Sequence, residues 1–204
     1  MHKLIEEASK VLREPTDLFD FENPPEDPKE IEKNLAEAMS RFGGLGLSAN
    51  QLGLKYRCFV MKTADSGTMA FFNPEITKLS QETDLLKEGC LSFPDIYLMI
   101  KRSRVIEFDF INSEGEKKTL QLDGIGARCV QHEIDHLNGI IFLQRASQFK
   151  IERALKARPK ERRKRLDYER RMEIVRRLQS MESQSDTDTD TGTVQEPDKV
   201  AQQS

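Results

Sequence analysis

The sequence is poor in several residue types, and each shortage excludes a class of protein. It has 204 residues, no tryptophan, three histidines and three cysteines. Cys58, Cys90 and Cys129 form a set too sparse for a disulfide framework, so each is either a core thiol or a ligand or nucleophile. No run approaches the roughly 18 apolar residues of a membrane-spanning helix, and the first residues lack the apolar core of a signal peptide. We therefore expect a soluble, cytoplasmic protein without a membrane partner.

Charge is unevenly distributed along the chain, although the net charge is only −3. Residues 1–149 carry a net charge of −6, residues 150–178 carry +8 and residues 179–204 carry −5. The last segment is also poor in apolar residues, which is typical of disordered chains. The pattern predicts a globular body over 1–149, a basic helical arm over 150–178 that breaks near Pro159, and an acidic, disordered tail over 179–204.

Two helices of the body are marked by their end signals. Asp27 to Glu30 supplies an N-cap, a proline at the first helical position and a capping-box acid, and Gly43-Gly44 ends the helix. Asp123-Gly124 begins a second helix, which Asn138-Gly139 ends. Its apolar residues recur at helical spacing, which predicts a core helix packed against a sheet.

Between these helices the sequence is typical of strands. Strand-like patterns occur at Tyr56 to Met61, Met69 to Phe72 and Tyr97 to Ile111, with turn residues between them. Several short antiparallel strands are the simplest arrangement, so the fold class we expect is α+β.

The second helix carries the segment Gln131-His132-Glu133-Ile134-Asp135-His136. His132 and His136 are one helical turn apart, so both imidazoles can bind one metal ion, with Glu133 beside it as a proton shuttle. The alternative is two surface histidines on an amphipathic helix.

A third ligand is needed, and the sequence after residue 136 contains no further histidine or cysteine. Cys129 lies about 10 Å along the helix axis from His136, so its short side chain should miss a metal held by both imidazoles. Cys90 lies between a flexible glycine and a strand-ending proline, which can direct its thiolate toward the helix. One sulfur and two imidazoles leave a position for water, which is typical of a catalytic metal, and ligand chemistry alone favours zinc.

The third feature is the glycine-rich stretch from Gly43 to Gln51. It contains G-x-G-x-x-A, but a helix precedes it where a dinucleotide-binding fingerprint requires a strand. An exposed backbone with few side chains could pair with an extended peptide as an added strand, and Gln51 could offer its amide to a developing oxyanion. A plain glycine-rich turn is the alternative.

Together, these segments resemble the three signature motifs of the peptide deformylases, over roughly residues 1–149. The motifs are Gly44 to Gln51, Glu88 to Ser92 and Gln131 to His136. The resemblance implies a catalytic domain of mixed, mainly antiparallel sheets around a central metal-bearing helix, followed by a C-terminal basic helix. It also implies removal of the formyl group from the N-formylmethionine of newly made polypeptides, with release of formate.

The resemblance assigns roles residue by residue. Cys90, His132 and His136 would bind the metal, natively Fe(II), with zinc or nickel as possible replacements. Glu133 would be the general base and acid, and Gln51 with the backbone N–H of Leu91 would stabilise the oxyanion. The residues implied to contact the substrate are Gly44, Leu45, Gly46, Leu86, Gly89, Ile125 and Cys129. One departure is Ser48-Ala49, where the family usually has two alanines.

The basic arm admits two interpretations. Its clusters Arg162 to Arg165, Arg170-Arg171 and Arg176-Arg177 could contact several phosphates, and the resemblance implies a C-terminal helix that docks on the ribosome. A solvated charged helix is the alternative. From the residues alone, two alternative functions are also considered. One is a different metal hydrolase such as a peptidase, and the other is an RNA-binding module that has lost catalysis.

Overall fold

The computed structural model describes residues 3–63 and 67–185. Its α-helices are α1 (Pro28–Phe42), α2 (Gly124–Leu137) and α3 (Gln148–Ser185). Its strands are β1 (Gly46–Ser48), β2 (Cys58–Lys62), β3 (Thr68–Leu79), β4 (Thr83–Cys90), β5 (Phe93–Ser103), β6 (Val105–Ile111) and β7 (Lys117–Asp123). Short 3₁₀ turns occur at Lys10–Arg13, Ala49–Leu52 and Phe142–Arg145.

The strands form two antiparallel sheets. One sheet has the order β1-β2-β3-β6-β7, and β4 and β5 pair as a separate hairpin. The stretch from Tyr97 to Ile111, predicted to be strand-like, is divided between β5 and β6, which belong to different sheets. Strands β4 and β7 were not singled out in the sequence. The expected α+β class with mainly antiparallel sheets is confirmed.

Helix α1 begins and ends where its capping residues predict. The side chain of Asp27 accepts a hydrogen bond of 2.9 Å from the backbone N–H of Lys29, and Pro28 occupies the first helical position. Gly43 ends the helix with φ of 71°, a left-handed conformation that glycine adopts without a Cβ clash. The prediction for this helix is confirmed.

The side chains of β2 alternate between two apolar clusters, one with α1 and one with α2, so the two helices pack on opposite faces of the large sheet. Cys58 and Val60 belong to the apolar cluster that contains Leu35 of α1, whereas Phe59 belongs to the cluster that contains Val130 of α2. Because successive side chains of a strand point to opposite faces, a short apolar strand can serve both layers. Helix α2 is therefore a core helix covered by the sheet, as predicted.

Helix α3 differs from its prediction at two points. It continues through Pro159 instead of breaking there, and it extends past Leu178 to Ser185. Proline removes one hydrogen bond of the helix, but the neighbouring Ala, Leu, Lys, Arg and Glu residues are strong helix formers. The remainder of the predicted acidic tail, 186–204, lies outside the described residues.

The chain divides into two compact units between Pro159 and Lys160. The first unit contains α1, α2 and both sheets, and the described part of the second, up to Ser185, is helical. Within the part of the chain that the structure describes, none of the helices has the length and apolar character needed to cross a membrane.

Candidate active site and metal centre

The three predicted metal ligands meet at one place. Cys90 ends β4, and His132 and His136 lie one turn apart on α2. One donor atom from each residue lies within 4.8 Å of the other two, and Sγ of Cys90 is 3.2 Å from Nε2 of His136. Cys129 is not part of this group, in agreement with the expectation that its side chain would miss the metal.

The polar atoms around this point fit a metal ion. His136 is 1% exposed and its Nδ1 has no hydrogen-bond partner among the described residues. The Oε2 atom of Glu133, on the same helix, is likewise buried without a partner there. Buried polar groups normally have partners, and a thiolate with two imidazoles is a donor set that suits zinc, iron or nickel. The residues present therefore fit the implied metal.

A buried carboxylate lies behind His132. Oε2 of Glu88 is 3.3 Å from Nδ1 of His132, and Glu88 accepts bonds of 2.9 and 3.0 Å from Nε and Nη2 of Arg102. Arg128 donates to the same carboxylate. Burial opposes the ionisation of Glu88, but hydrogen bonds from His132 and Arg102 outweigh it and lower its pKa to about 2. Glu88 is therefore an anion that can orient the His132 ring.

Arg102 connects this carboxylate to the far side of α2. Its Nη1 donates to Oδ2 of Asp135 over 2.6 Å, and Nε of Arg145 donates to the same oxygen over 3.0 Å. The side chains of Arg102, Glu88 and Asp135 are only 5 to 7% exposed. The network thus ties the hairpin that carries Cys90 to the helix that carries both histidines.

The sequence reasoning missed this network. Glu88 and Asp135 lie in the second and third motifs, and neither has a role in the predicted metal site. Two acids without a role were the one sign in the sequence that a further charged network is present. Their partner could not be identified from the sequence, because the β4–β5 register places Arg102 opposite Asp84 and not opposite Glu88, and only the long Arg102 side chain reaches the Glu88 carboxylate.

Burial and neighbouring charges shift the ionisation of the site. Burial raises the pKa of Glu133 to about 7, against the opposing effects of His132 and Ser48. Burial also lowers the pKa of His136. In His132 burial acts in the same direction, but hydrogen bonds with Cys90 and Glu88 outweigh it and raise the pKa to about 10. The same thiol and carboxylate that favour a proton on His132 would also stabilise a metal cation there.

Gln51 also lies near the Cys90 sulfur, in the 3₁₀ turn that follows β1. It is 2% exposed, and its Nε2 is 3.6 Å from Sγ of Cys90 and 3.0 Å from Oγ of Ser92. Leu91 directly follows Cys90. The structure therefore brings both predicted oxyanion donors next to the metal-binding thiol.

The glycines of the first motif permit close approach of β1 to the site. A Cβ atom at Gly46 would lie 2.7 Å from Sγ of Cys129 and 2.7 Å from Oε1 of Glu133. A Cβ atom at Gly44 would lie 2.9 Å from Cδ1 of Leu91. Side chains at these positions would collide with the site, which explains why the motif needs glycine there.

Of the remaining predicted substrate contacts, all but Leu45 lie on the two elements that carry the ligands. Leu86 precedes Cys90 by four residues on β4, and Ile125 precedes Cys129 by one turn of α2. Leu86 is 38% exposed, Ile125 is 56% exposed, and Leu45, just before β1, is 56% exposed. Exposed apolar side chains beside a buried polar centre are typical of a binding site for an apolar group.

Comparisons with known proteins agree with this geometry. The family model described as polypeptide deformylase matches residues 1–152. A peptide deformylase of Thermotoga maritima is 39% identical over 153 residues, which cover 74% of this chain and 90% of the relative. The chain belongs to the peptide deformylase family.

Solved structures of the family have the same fold. The peptide deformylase of Thermotoga maritima matches with a TM-score of 0.68 at 37% identity, covering 72% of this chain and 98% of that one. A complex of the Synechococcus elongatus enzyme with actinonin matches with a TM-score of 0.71 at 28% identity, covering 78% and 86%.

A probable peptide deformylase from the Synechococcus phage S-SSM7 is also similar, with a TM-score of 0.65 at 37% identity, covering 72% of this chain and all of that one (100%). This peptide deformylase is therefore a metal-dependent hydrolase that removes the formyl group from newly made polypeptides, the known function of its family.

Proposed function

We propose that the enzyme binds one divalent metal ion through Cys90, His132 and His136 and uses Glu133 as its general base and acid. The observation that carries this assignment is the convergence of the three ligand atoms within 4.8 Å. The buried, unpartnered carboxylate oxygen of Glu133 supports it. A cation in this position supplies Lewis acidity, which makes water acidic enough to act as a nucleophile near neutral pH.

Glu133 moves the protons of the reaction. Its carboxylate accepts a proton from the attacking water and returns one to the leaving nitrogen as the formamide C–N bond breaks. A base is most effective when its pKa lies near the working pH, and burial raises the pKa of Glu133 toward neutrality. The products are formate and a peptide with a free amino group.

Gln51 and Leu91 stabilise the negative charge that develops on the formyl oxygen. The amide nitrogen of Gln51 and the backbone N–H of Leu91 donate hydrogen bonds to that oxygen from either side of Cys90. Donors fixed in a buried site are effective because they need no reorganisation during the reaction. The 2% exposure of Gln51 and its bond to Ser92 support this role.

The substrate binds as an added strand along β1. Among the described strands, β1 pairs only with β2, so no described strand occupies its other edge. The backbone of Gly44, Leu45 and Gly46 pairs with the peptide on one side and Gly89 on the other. Leu86, Ile125 and Cys129, together with the side of His132, enclose the methionine side chain.

The native metal we propose is Fe(II), with zinc or nickel as replacements. The sulfur and two imidazoles suit each of these ions, and the family resemblance favours iron. Metal analysis after purification without oxygen tests this assignment, because oxidation during purification in air could remove iron from the site. Iron at about one equivalent per chain is expected, and zinc under these conditions would contradict it.

The reaction is tested by formate release from a formyl-methionyl peptide. The Glu133→Gln substitution should lower kcat by about 10²- to 10⁴-fold, the usual contribution of general acid–base catalysis. Glu82→Gln, at a side chain that is 79% exposed and lies just before β4, is the matched control and should retain full activity. Unchanged kcat in Glu133→Gln would show that another group moves the protons.

The same assay separates the two rival functions. A peptidase with this site would cleave an internal bond of the unformylated peptide, and a catalytically inactive RNA-binding module would release no formate. We expect formate release and no internal cleavage.

The basic arm is proposed to dock on the ribosome, which would keep the enzyme in the cytoplasm near its nascent-peptide substrate. Ion pairs within α3 use some of its charge, among them Arg165 with Glu169 and Arg177 with Glu173. Many other arginines of the arm are exposed. Such a surface can neutralise several phosphates. On this view residues 1–149 form the catalytic domain and 150–178 the docking arm.

Co-sedimentation with ribosomes at low salt tests the docking proposal. One variant changes arm residues to glutamine, namely Arg162, Arg163, Arg170, Arg171 and Arg176. The control makes the same charge change in the body, at Lys55, Lys62, Lys78, Lys117 and Lys118. We expect weaker co-sedimentation only for the arm variant, with unchanged turnover of a short formyl peptide. Equal co-sedimentation of both variants would contradict docking through the arm.

A further inference from the structure

Ser48 lies in the first motif, three residues before Gln51. It is the last residue of β1 and is fully buried, with 0% exposure. The 3₁₀ turn that contains Gln51 begins directly after it. A buried hydroxyl normally has a hydrogen-bond partner, so its contacts indicate what the serine contributes to this chain.

The partner of Ser48 is the amide of Gln51. Oε1 of Gln51 accepts a hydrogen bond of 3.1 Å from the backbone N–H of Ser48 and another of 3.0 Å from its hydroxyl. At the other end of the amide, Nε2 of Gln51 donates to Oγ of Ser92 over 3.0 Å. Ser92 is also buried, with 4% exposure. All four groups lie inside the protein, next to the metal-binding thiol.

These bonds fix the direction of the Gln51 amide. A glutamine amide has an acceptor end and a donor end of nearly equal shape, and only its surroundings decide which end faces which way. The two donors of Ser48 require the amide oxygen of Gln51 to face Ser48. At the other end of the amide, the hydroxyl of Ser92 accepts a hydrogen bond from one N–H of Nε2. The second N–H of Nε2 is then left on the side of Cys90, 3.6 Å from its sulfur.

We propose that Ser48 and Ser92 are positioning residues, which clamp the Gln51 amide so that its second N–H faces the developing oxyanion. The proposal rests on the oxyanion role assigned to Gln51 above. The backbone N–H of Ser48 provides one of the two bonds whatever its side chain is, so an alanine at this position would keep that bond. The hydroxyl adds a second donor and narrows the range of amide orientations.

The hydroxyl of Ser48 has a competing neighbour. Hydrogen bonding by both the hydroxyl and the backbone N–H of Ser48 also lowers the pKa of Glu133, against the larger effect of burial. A hydroxyl has one hydrogen, so at any moment it donates either to Gln51 or to Glu133. A test of the clamp must therefore distinguish an effect through Gln51 from an effect through Glu133.

A double-mutant cycle on the metal-loaded enzyme makes this distinction. Ser48→Ala should lower kcat for a formyl-methionyl peptide by about 3- to 10-fold, the usual worth of one hydrogen bond, with KM changed less than about twofold. Ser92→Ala should act similarly. Gln51→Ala should lower kcat by about 10²-fold, as for other oxyanion donors. In the Gln51→Ala background, Ser48→Ala should have almost no further effect.

Two results for the serine variants would overturn the clamp. One is an unchanged kcat in both serine variants, and the other is an equal loss for Ser48→Ala with and without Gln51, which would assign its effect to Glu133. If Gln51→Ala itself retains full kcat, the oxyanion role fails and the clamp fails with it. A clear loss for Gln51→Ala with no loss for the serine variants rejects the clamp alone.

Folding and metal content provide the control. Cys58→Ala removes a comparable buried atom from the neighbouring strand β2, where Cys58 is 0% exposed and does not contact Gln51 in the hydrogen-bond network. It should retain kcat, and all variants should keep about one metal per chain. A loss of kcat in Cys58→Ala equal to that in Ser48→Ala would show that core packing, and not the hydroxyl, explains the effect.

Discussion

Charged side chains of the same types lie around α2 and along α3, but those around α2 are buried and those along α3 are exposed to solvent. Around α2, the side chains of Glu88, Arg102 and Asp135 are 5 to 7% exposed and bind one another. Along α3, the side chains of Arg177 and Glu173 are 75% and 63% exposed. Exposed ion pairs contribute little because water and salt screen them, whereas a buried charge without its partner is costly.

The comparison explains why one set of charges can support a metal site. The buried network fixes Glu88 behind His132 and joins the hairpin to α2 through Arg102. On α3, the pairs Arg165–Glu169 and Arg177–Glu173 each connect two residues of the same helix, four positions apart. Substitutions in the two regions should therefore differ strongly in effect.

The largest effect on stability is expected for Glu88→Ala. It leaves Arg102 and Arg128 buried with one partner fewer, which typically costs about 3–5 kcal/mol in the free energy of unfolding. Loss of a residue that orients a metal-bound histidine should also weaken metal affinity by about 10- to 100-fold. Denaturant unfolding and metal titration measure both. Glu169→Ala on α3 is the control. A similar loss of unfolding free energy in the two variants would contradict the stated difference between buried and exposed charges.

A smaller loss is expected for Asp135→Asn. The substitution keeps the shape but removes the charge that Arg102 and Arg145 share, while Arg102 retains Glu88. Hydrogen bonds to charged groups contribute about 1.5–3 kcal/mol, so a destabilisation in that range is expected by denaturant unfolding. No measurable change would mean that Glu88 alone neutralises Arg102.

An intermediate case is the pair between Glu7 and Arg158, at which the side chains are 42% and 30% exposed. The hydrogen bond from Arg158 lowers the pKa of Glu7. A carboxyl whose pKa is lowered by folding stabilises the protein above its unfolded pKa, and this contribution is lost as the pH falls through the folded pKa. After discounting for solvent, Glu7→Gln should cost less than about 1 kcal/mol at pH 7.

The pH dependence checks the origin of that small cost. The difference in Tm between the wild-type protein and Glu7→Gln should shrink as the pH is lowered from 7 into the range where carboxylates become protonated. A difference that stays constant with pH would show that Glu7 acts through packing and not through its charge.

The smallest effect is expected for Arg177→Gln. Its partner Glu173 is four residues earlier on an exposed helix face, and such pairs contribute about 0.3–0.5 kcal/mol. The free energy of unfolding of the body should not change within error, and helicity measured by circular dichroism should fall only slightly. A loss comparable to that of Asp135→Asn would contradict the comparison between the two regions.

The features that could be predicted from the sequence are those that depend on the spacing of neighbouring residues. Histidines one turn apart on a helix, Asp27 and Gly43 at the ends of α1, and the thiol of Cys90 all follow from neighbours in the chain. The Glu88 and Asp135 network was not predictable, because its partners meet only through strand register and helix packing.

The prediction for α3 failed for a different reason. The helical arm was expected to break near Pro159, but the cost of one lost hydrogen bond is finite and the flanking residues favour helix. The clamp on Gln51 was also invisible in the sequence, since Ser92 lies 41 positions away.

Cobalt substitution tests the central claim most directly. The metal-free enzyme titrated with Co(II) should bind about one equivalent and develop the near-ultraviolet charge-transfer absorption of a cobalt–thiolate bond. We predict that Cys90→Ala abolishes this absorption and that Cys129→Ala, on the same helix as the histidines, retains it. Absorption that survives in Cys90→Ala, or that disappears in Cys129→Ala, would contradict a metal centre formed by Cys90, His132 and His136.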